Sequence, residues 1–201
     1  MKWGMVIDLK RCIGCYGCQL SCKAEHGTPP GVFFARLLKQ EEGRYPTVRQ
    51  LFLPVLCFHC DDPPCVDVCP TEASFKWPDG VVDIDAEKCV GCRACMMACP
   101  YTQRYYHDEP QYYFPNNGPT PYERARSERY EAGVVMKCNF CRDRVRAGKQ
   151  PACVANCPTV ARYFGDLDDP TSEVSQLVAA KKARPLLPEK GLNPSVFYIG
   201  S

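Results

Sequence analysis

Sixteen cysteines stand in four groups of four along a chain of 201 residues, with none left over. Group one is Cys12, Cys15, Cys18 and Cys22, spaced C-x2-C-x2-C-x3-C. Group two is Cys57, Cys60, Cys65 and Cys69, spaced C-x2-C-x4-C-x3-C-P. Group three is Cys89, Cys92, Cys95 and Cys99, spaced C-x2-C-x2-C-x3-C-P. Group four is Cys138, Cys141, Cys153 and Cys157, spaced C-x2-C-x11-C-x3-C-P. An even count admits a disulfide framework. Three thiols at steps of three crowd one place, however, where bridges need partners spread across a fold. Structural zinc favours two C-x-x-C pairs around one tetrahedral ion. A triplet from a single loop, with a fourth thiol three residues on, suits one ion poorly.

The remaining composition calls for staples of some kind: disulfides, metals or partners. The hydrophobic fraction of 45% counts the cysteines, and 19 prolines and 14 glycines break the chain into many short elements. A core this thin needs staples. A [4Fe–4S] cubane takes thiolates at separate corners, and a loop with steps of three can wrap one face of it. The run C-x2-C-x2-C-x3-C-P is that of bacterial ferredoxins, whose last cysteine ligates the neighbouring cluster. Two groups with this cysteine spacing and two variants of it predict four [4Fe–4S] clusters.

The chain also repeats itself. Residues Ile7 to Cys15 align with Ile84 to Cys92 at a shift of 77, and Pro64 to Thr71 align with Ala152 to Thr159 at a shift of 88. The order is therefore A, B, A′, B′, two copies of a two-cluster unit. We expect an α+β, loop-rich fold of two pseudo-symmetric ferredoxin-like units stapled by iron–sulfur clusters. Residues 57–100 form one contiguous unit, with Pro78-Asp79-Gly80 as a turn and Val81–Ile84 as a short strand. Residues 1–56 with 134–170 form the second, 101–133 an insertion, and 171–201 a C-terminal helix and tail. By analogy with two-cluster ferredoxins each closing cysteine crosses over. The expected sets are Cys12, Cys15, Cys18 and Cys157 (set 1); Cys57, Cys60, Cys65 and Cys99 (set 2); Cys89, Cys92, Cys95 and Cys69 (set 3); and Cys138, Cys141, Cys153 and Cys22 (set 4).

Within the motifs, Gly14, Gly17 and Gly91 let backbone approach a cluster in unusual dihedrals, and Pro70, Pro100 and Pro158 stop a helix after the closing cysteine. Backbone amides there can donate to sulfur. The insertion carries Tyr101, Tyr105, Tyr106, Tyr112, Tyr113, Tyr122 and, just before residue 134, Tyr130, as either an interface or a lid over the chain's own clusters. Near the end, Asp169 and Pro170 suit a helix start, with Val174, Leu177 and Val178 as its apolar face, Lys181, Lys182 and Arg184 at its C-terminus and Pro185 as its stop. Of His26, His59 and His107, His59 lies between two cysteines and is expected to pack and not to ligate. Arg93, Lys137, Arg142 and Arg144 flank cysteines, either as solvated charges or as cations beside anionic clusters. No Ser/His/Asp set, phosphate loop or open metal site points to catalysis. Net charge is +2, so no basic footprint for nucleic acid exists. The longest apolar stretch, Leu51–Phe58, falls far short of the roughly 20 residues of a membrane span. The N-terminus shows neither a signal core nor a twin-arginine pair.

Cys57-Phe58-His59-Cys60-Asp61-Asp62-Pro63-Pro64-Cys65, Cys69-Pro70-Thr71, Cys138-Asn139-Phe140-Cys141 and Phe164–Pro170 resemble the four-cluster beta subunits of the dimethyl sulfoxide reductase family of molybdoenzymes. Polysulfide, thiosulfate, tetrathionate and arsenate reductases provide the nearest likeness, over nearly the whole chain. The resemblance implies a ferredoxin-like double fold and electron transfer without catalysis. It implies a large catalytic partner with a molybdenum or tungsten bis-pterin cofactor, and a membrane subunit that exchanges electrons with quinone. Some relatives replace one ligand of the third group by tryptophan, where this chain has Cys92, so four cubanes are expected. The chain carries no C-terminal membrane helix, so the anchor is expected to be separate. Location is expected at the extracytoplasmic face by co-export with a signal-bearing partner, or else in the cytoplasm. A hydrogenase or formate dehydrogenase subunit and a free polyferredoxin are the other functions the cysteines allow.

Overall fold

A computed structural model describes residues 1–126, 131–180 and 182–200. Its main sheet has four strands in the order β6-β1-β8-β7, formed by β1 (Trp3–Asp8), β6 (Arg162–Asp166), β7 (Arg184–Pro185) and β8 (Val196–Ile199). β1 runs antiparallel to β6 and parallel to β8. Its Met5, Val6 and Ile7 are fully buried, as are Val196 and Tyr198 of β8. A strand buried on both faces reads as a continuous apolar run, and Met5–Ile7 has that pattern. Two hairpins complete the strands: β2 (Arg36–Glu42) with β3 (Arg49–Val55), and β4 (Ser74–Lys76) with β5 (Val82–Ile84). The expected turn before β5 is present, with Gly80 at φ +83°.

The cysteines ride on short helices. α1 (Gly17–His26) carries Cys18 and Cys22, α2 (Pro64–Asp67) Cys65, α3 (Ala94–Ala98) Cys95, and α6 (Ala152–Ala155) Cys153; α4 (Pro121–Arg126) and α5 (Arg142–Arg146) carry none. α1 packs on α6, and α2 on α3. Groups one and four therefore meet on one pair of helices, and groups two and three on another. The two strand pairs match as well. β1 opposes β6 with Met5 across from Phe164 and Ile7 from Arg162, while β5 opposes β4 with Val82 across from Lys76 and Ile84 from Ser74. Shifts of 77 and 88 residues convert one register into the other.

The C-terminal region differs from expectation. The last helix, α7 (Glu173–Ala179), is capped by Ser172, whose side chain accepts from the Ser175 amide. Asp169 instead closes a turn, accepting from the Thr171 amide at 2.8 Å and its hydroxyl at 2.7 Å. Two residues suited to a helix start compete here, and the turn takes the first. The apolar face is as read: Val174 is buried, and Leu177 and Val178 pack with it against Val6. Of the cations expected at the helix C-terminus, Lys181, Lys182 and Arg184, the first lies outside the described residues. Arg184 and Pro185 do not end a helix. They form β7, opposite Tyr198 and Phe197. Beyond Pro185 the chain is not an extended tail, because it returns to place β8 in the middle of the main sheet. Ser172→Ala is expected to cost about 1 kcal/mol through the lost cap. Thermal unfolding of the iron-loaded protein should record this as a fall of about 2–4 °C in Tm, with iron content unchanged.

Candidate metal centres

All four groups open with C-x-x-C, and in each the residue before the second cysteine takes a left-handed backbone: Gly14 at φ +69°, His59 at +43°, Gly91 at +65° and Phe140 at +56°. This turn reverses the chain and points amides inward. The Phe140 amide donates to Cys138 Sγ and the Gly17 amide to Cys15 Sγ, each at 3.4 Å. Around the closing cysteines, Ser74 N–H donates to Cys69 and Ala161 N–H to Cys157, each at 3.3 Å. Gly17, read as a residue of unusual dihedral, is an ordinary helical residue, and Tyr16 before it takes the positive φ of +60°. Glycine is required at position 91 for a second reason, since a Cβ there would lie 2.3 Å from the Gly133 carbonyl oxygen. Backbone cannot yield as a side chain can. Gly91→Ala is therefore expected to lose the iron held by set 3, whereas Gly17→Ala, whose Cβ meets nothing nearer than 3.4 Å, keeps its full complement by iron assay.

His59 and Phe140 are not glycines, and a left-handed L-residue costs roughly 1–2 kcal/mol. They occupy equivalent positions in groups two and four, and their rings touch in a tilted pair, with centroids 3.8 Å apart and planes 32° from parallel. Both are essentially fully buried. His59 Nδ1 accepts from the Val82 amide at 3.1 Å. Burial, helped by Lys137 and Arg104, holds its pKa well below the usual histidine range. The ring packs in the core, with its Nε2 buried and without a hydrogen-bond partner in the protein. His26 takes a closer role, with Nε2 3.1 Å from Cys141 Sγ. His107 lines a surface cavity beside Thr28 and Tyr113.

The fold gathers the sixteen thiols, all unbridged, into four places. Cys12, Cys15, Cys18 and Cys157 line one cavity, together with Arg162. Cys69, Cys89, Cys92 and Cys95 line another, together with Arg104. The third place surrounds Cys60, whose thiol is pushed up to about 12 by burial and by Cys57, Cys65 and Cys99 beside it. The fourth surrounds Cys22. Burial raises its thiol well above the usual range, and Cys138, Cys153 and Cys141 raise it further. In every case three cysteines of one group meet the closing cysteine of another.

These sets fit a body larger than an ion. Sulfurs around a single zinc stand about 3.8 Å apart, as a Zn–S bond of about 2.3 Å dictates. Among the described residues no group of three or more His, Cys, Asp or Glu side chains closes to hold one metal ion. Polar groups left over at the sites fit a cluster too. Arg104 and Arg162 are buried at 5% and 3% exposure, and Arg104 Nη1 and Arg162 Nη2 have no hydrogen-bond partner in the protein. Cluster sulfide is an acceptor suited to such orphans.

These two arginines escape a reading based on neighbours of cysteine, which selects Arg93, Lys137, Arg142 and Arg144. Of those, Lys137 is buried and donates to the carbonyl oxygens of Val82 and Cys138. Arg142 pairs with Asp79 at 2.8 Å and stacks on Trp77 at 4.0 Å. Arg144 pairs with Glu25 at 2.9 Å, and Arg93 lies over the Tyr106 ring. A signal for Arg104 and Arg162 does exist: each stands five residues past a closing cysteine, Cys99 or Cys157.

Four tyrosines of the insertion bond to their own chain. Tyr101 stacks on Phe58 at 3.8 Å and donates to the Leu186 carbonyl. Tyr105 donates to Phe33, Tyr113 to Thr28 and Tyr122 to Ala24. Tyr130 lies outside the described residues.

Comparison with known proteins agrees with this chemistry. The model of the 4Fe–4S dicluster domain matches residues 48–114 and 115–167. The first match holds groups two and three, and the second holds group four. The chain is 46% identical to an iron–sulfur protein of Halobacterium salinarum assigned to dimethyl sulfoxide reductase, over 98% of this chain and 79% of that one. It is 40% identical to ArrB, the iron–sulfur subunit of the arsenate respiratory reductase of Shewanella sp. strain ANA-3, over 100% of this chain and 97% of that one. It is also 40% identical to a tetrathionate reductase subunit of Salmonella typhimurium, over 99% of this chain and 72% of that one. With sixteen cysteines gathered as four sets and likeness along its whole length, the chain belongs to the 4Fe–4S dicluster family, among the iron–sulfur subunits of reductase complexes.

Proposed function

We propose that this chain is the electron-relay subunit of a respiratory complex, carrying electrons between a molybdenum or tungsten bis-pterin catalytic subunit and a membrane subunit that exchanges electrons with quinone. The single observation that carries the reading is that the four cysteine sets adjoin one another in turn. Set 1 adjoins set 4, since Cys18 neighbours Cys153. Set 4 adjoins set 2, since Cys57 neighbours Cys138. Set 2 adjoins set 3, since Arg104 touches both. The inner sets are the more buried, while each end presents an exposed cysteine, Cys15 or Cys92. Exposed Ile13 and Val90, equivalent in the repeat, rim those two ends. A free carrier needs one exposed end, whereas a relay between two partners needs two.

The ligands in this reading are Cys12, Cys15, Cys18 and Cys157; Cys57, Cys60, Cys65 and Cys99; Cys89, Cys92, Cys95 and Cys69; and Cys138, Cys141, Cys153 and Cys22. Each [4Fe–4S] cluster supplies a one-electron site. The chain's own groups fix the sulfurs, exclude water and place cations. Two ferredoxin-like units follow: residues 57–100, and 1–56 with 134–170, with 101–133 as the insertion and 171–201 as the C-terminal region. Matching strand registers and the two helix pairs support this division. Among the described residues no helix is long and apolar enough to cross a membrane; in the proposed complex the membrane subunit serves as the anchor, at the extracytoplasmic face if a signal-bearing partner exports both. Relatives named as arsenate and tetrathionate reductase subunits favour such a complex.

Anaerobic affinity purification from the native host tests the reading, with iron, molybdenum, tungsten and zinc measured in the same sample. Four clusters correspond to about 16 irons per chain. Those irons, with molybdenum or tungsten in a co-purifying large subunit, are the expected result. Iron without such a partner would overturn the relay assignment in favour of a free polyferredoxin or a hydrogenase-type complex.

A further inference from the structure

Arg104 and Arg162 have no carboxylate partner among the described residues. A buried charge without a counter-charge is strongly unfavourable, so something at these positions must be anionic. Arg104 Nη2 donates to Cys65 Sγ at 2.9 Å and to Ser74 Oγ at 2.7 Å. The same guanidinium lines the cavity of Cys69, Cys89, Cys92 and Cys95, so it spans sets 2 and 3. Arg162 lines the cavity of Cys12, Cys15, Cys18 and Cys157, bonds Met5 Sδ at 3.6 Å, and lies beside Cys153 of the other set. It therefore spans sets 1 and 4. Each half of the molecule places one guanidinium between its two sets, on different local elements: Arg104 follows α3, and Arg162 begins β6.

We propose that Arg104 and Arg162 are positioning residues that act as cationic bridges, each holding up the reduction potentials of both clusters of its pair and lowering the repulsion between them when both are reduced. The inference rests on the ligand sets proposed above. Arginine suits the task because it stays protonated and offers five donors on a planar frame. One face can serve two sulfur-rich bodies at once, and added negative charge is compensated there without proton uptake. In a buried site such compensation is much stronger than in water. The pair of residues also divides the relay into two electrostatic halves, joined where the His59 and Phe140 rings meet.

The test is a potentiometric titration followed by electron paramagnetic resonance on the intact iron-loaded complex, comparing wild type with R104Q, R104K and R162Q, with iron counted in each. R104Q is expected to lower the reduction equilibrium constant of the two clusters on sets 2 and 3 by tenfold or more, which is about 59 mV for a one-electron couple. The other two clusters should keep their potentials. R162Q should give the complementary result, moving only sets 1 and 4. R104K keeps the charge but cannot span both sets, so it should move one cluster of the pair more than the other. Unchanged potentials, or a shift of all four together, would overturn the bridge. If R104Q loses iron, R104K decides on the same criterion, and loss of iron in both would show a residue of assembly and overturn the role. A wild-type count well short of four clusters would instead refute the ligand sets, a separate failure.

Discussion

Cys157→Ser is expected to remove the cluster of Cys12, Cys15 and Cys18, and to leave the one on Cys138, Cys141 and Cys153 intact, although Cys157 belongs to group four by sequence. The reason is geometric. Cys157 closes the cavity of Cys12, Cys15 and Cys18, and the Ala161 amide aims at its sulfur. Burial raises the Cys12 thiol, and Cys18 and Cys157 are the cysteines beside it. A serine oxygen is a harder, shorter ligand than thiolate and holds iron–sulfur clusters poorly. Iron should fall from about 16 to about 12 per chain. One set of resonance signals should vanish, and electron delivery through that end should be blocked. Cys22→Ser is the converse, removing the cluster of Cys138, Cys141 and Cys153. Both variants can be read in one purified complex by iron assay and spectroscopy. Loss of the group-four signal in Cys157→Ser would show that closing cysteines stay within their own group and would dismantle the proposed sets.

The cysteine groups, the repeat and the turn at Gly80 were legible because each depends on local spacing or on a residue with one conformational use. Gly14 and Gly91 belong with these: a positive φ is cheap only for glycine. His59 and Phe140 adopt the same backbone in groups two and four, yet no propensity assigns it to them. Their strain is offset by a ring contact between residues 81 positions apart, which becomes visible only when both loops are folded. Arg104 and Arg162 were hidden for a similar reason. Proximity in sequence selected cations next to cysteines, and the Cβ directions there lead Arg142 to Asp79 and Arg144 to Glu25. Five residues past the closing cysteine the chain has turned back on the site, so the more distant arginine arrives at the sulfur. At the C-terminus, Val196–Ile199 is a four-residue apolar run whose partner, β1, lies at the other end of the chain. A parallel pairing of such separation leaves no local mark. The insertion shows the opposite limit: its tyrosine content fits an interface and a lid equally, and only the folded chain shows that the hydroxyls of Tyr101, Tyr105, Tyr113 and Tyr122 reach the carbonyls of Leu186, Phe33, Thr28 and Ala24.

Anaerobic removal of iron is expected to abolish the cooperative fold and not merely to silence its redox chemistry. The helices that carry Cys65, Cys95 and Cys153 are four, five and four residues long, far below the 12–15 residues at which an isolated helix becomes even marginal. Their thiols belong to the hydrophobic core itself, which includes Cys22, Cys60, Cys138 and Cys153. Without iron these thiols are neutral, because burial and neighbouring sulfurs push Cys60 and Cys141 up to about 12 and raise Cys22 and Cys138 well above the usual thiol range. Arg104 and Arg162 then keep a buried charge with no counter-ion, a defect of about 3–5 kcal/mol each where such pairs are broken. A structural metal contributes about 10–16 kcal/mol to the folding of a small peptide domain, and a whole protein is stable by only about 5–15 kcal/mol. Loss of several clusters therefore exceeds any margin that the main sheet can supply. Metal must displace protons from those raised thiols, so the iron-loaded state should also be lost more readily as pH falls. Near-UV circular dichroism and a thermal scan before and after chelation measure the effect, with native hydrogen exchange at Met5, Val6 and Ile7 as the local probe. Collapse of all three signals is the expected result. A sharp unfolding transition in the iron-free chain, with β1 amides still protected, would show that β6-β1-β8-β7 is an autonomous core to which the clusters are merely attached.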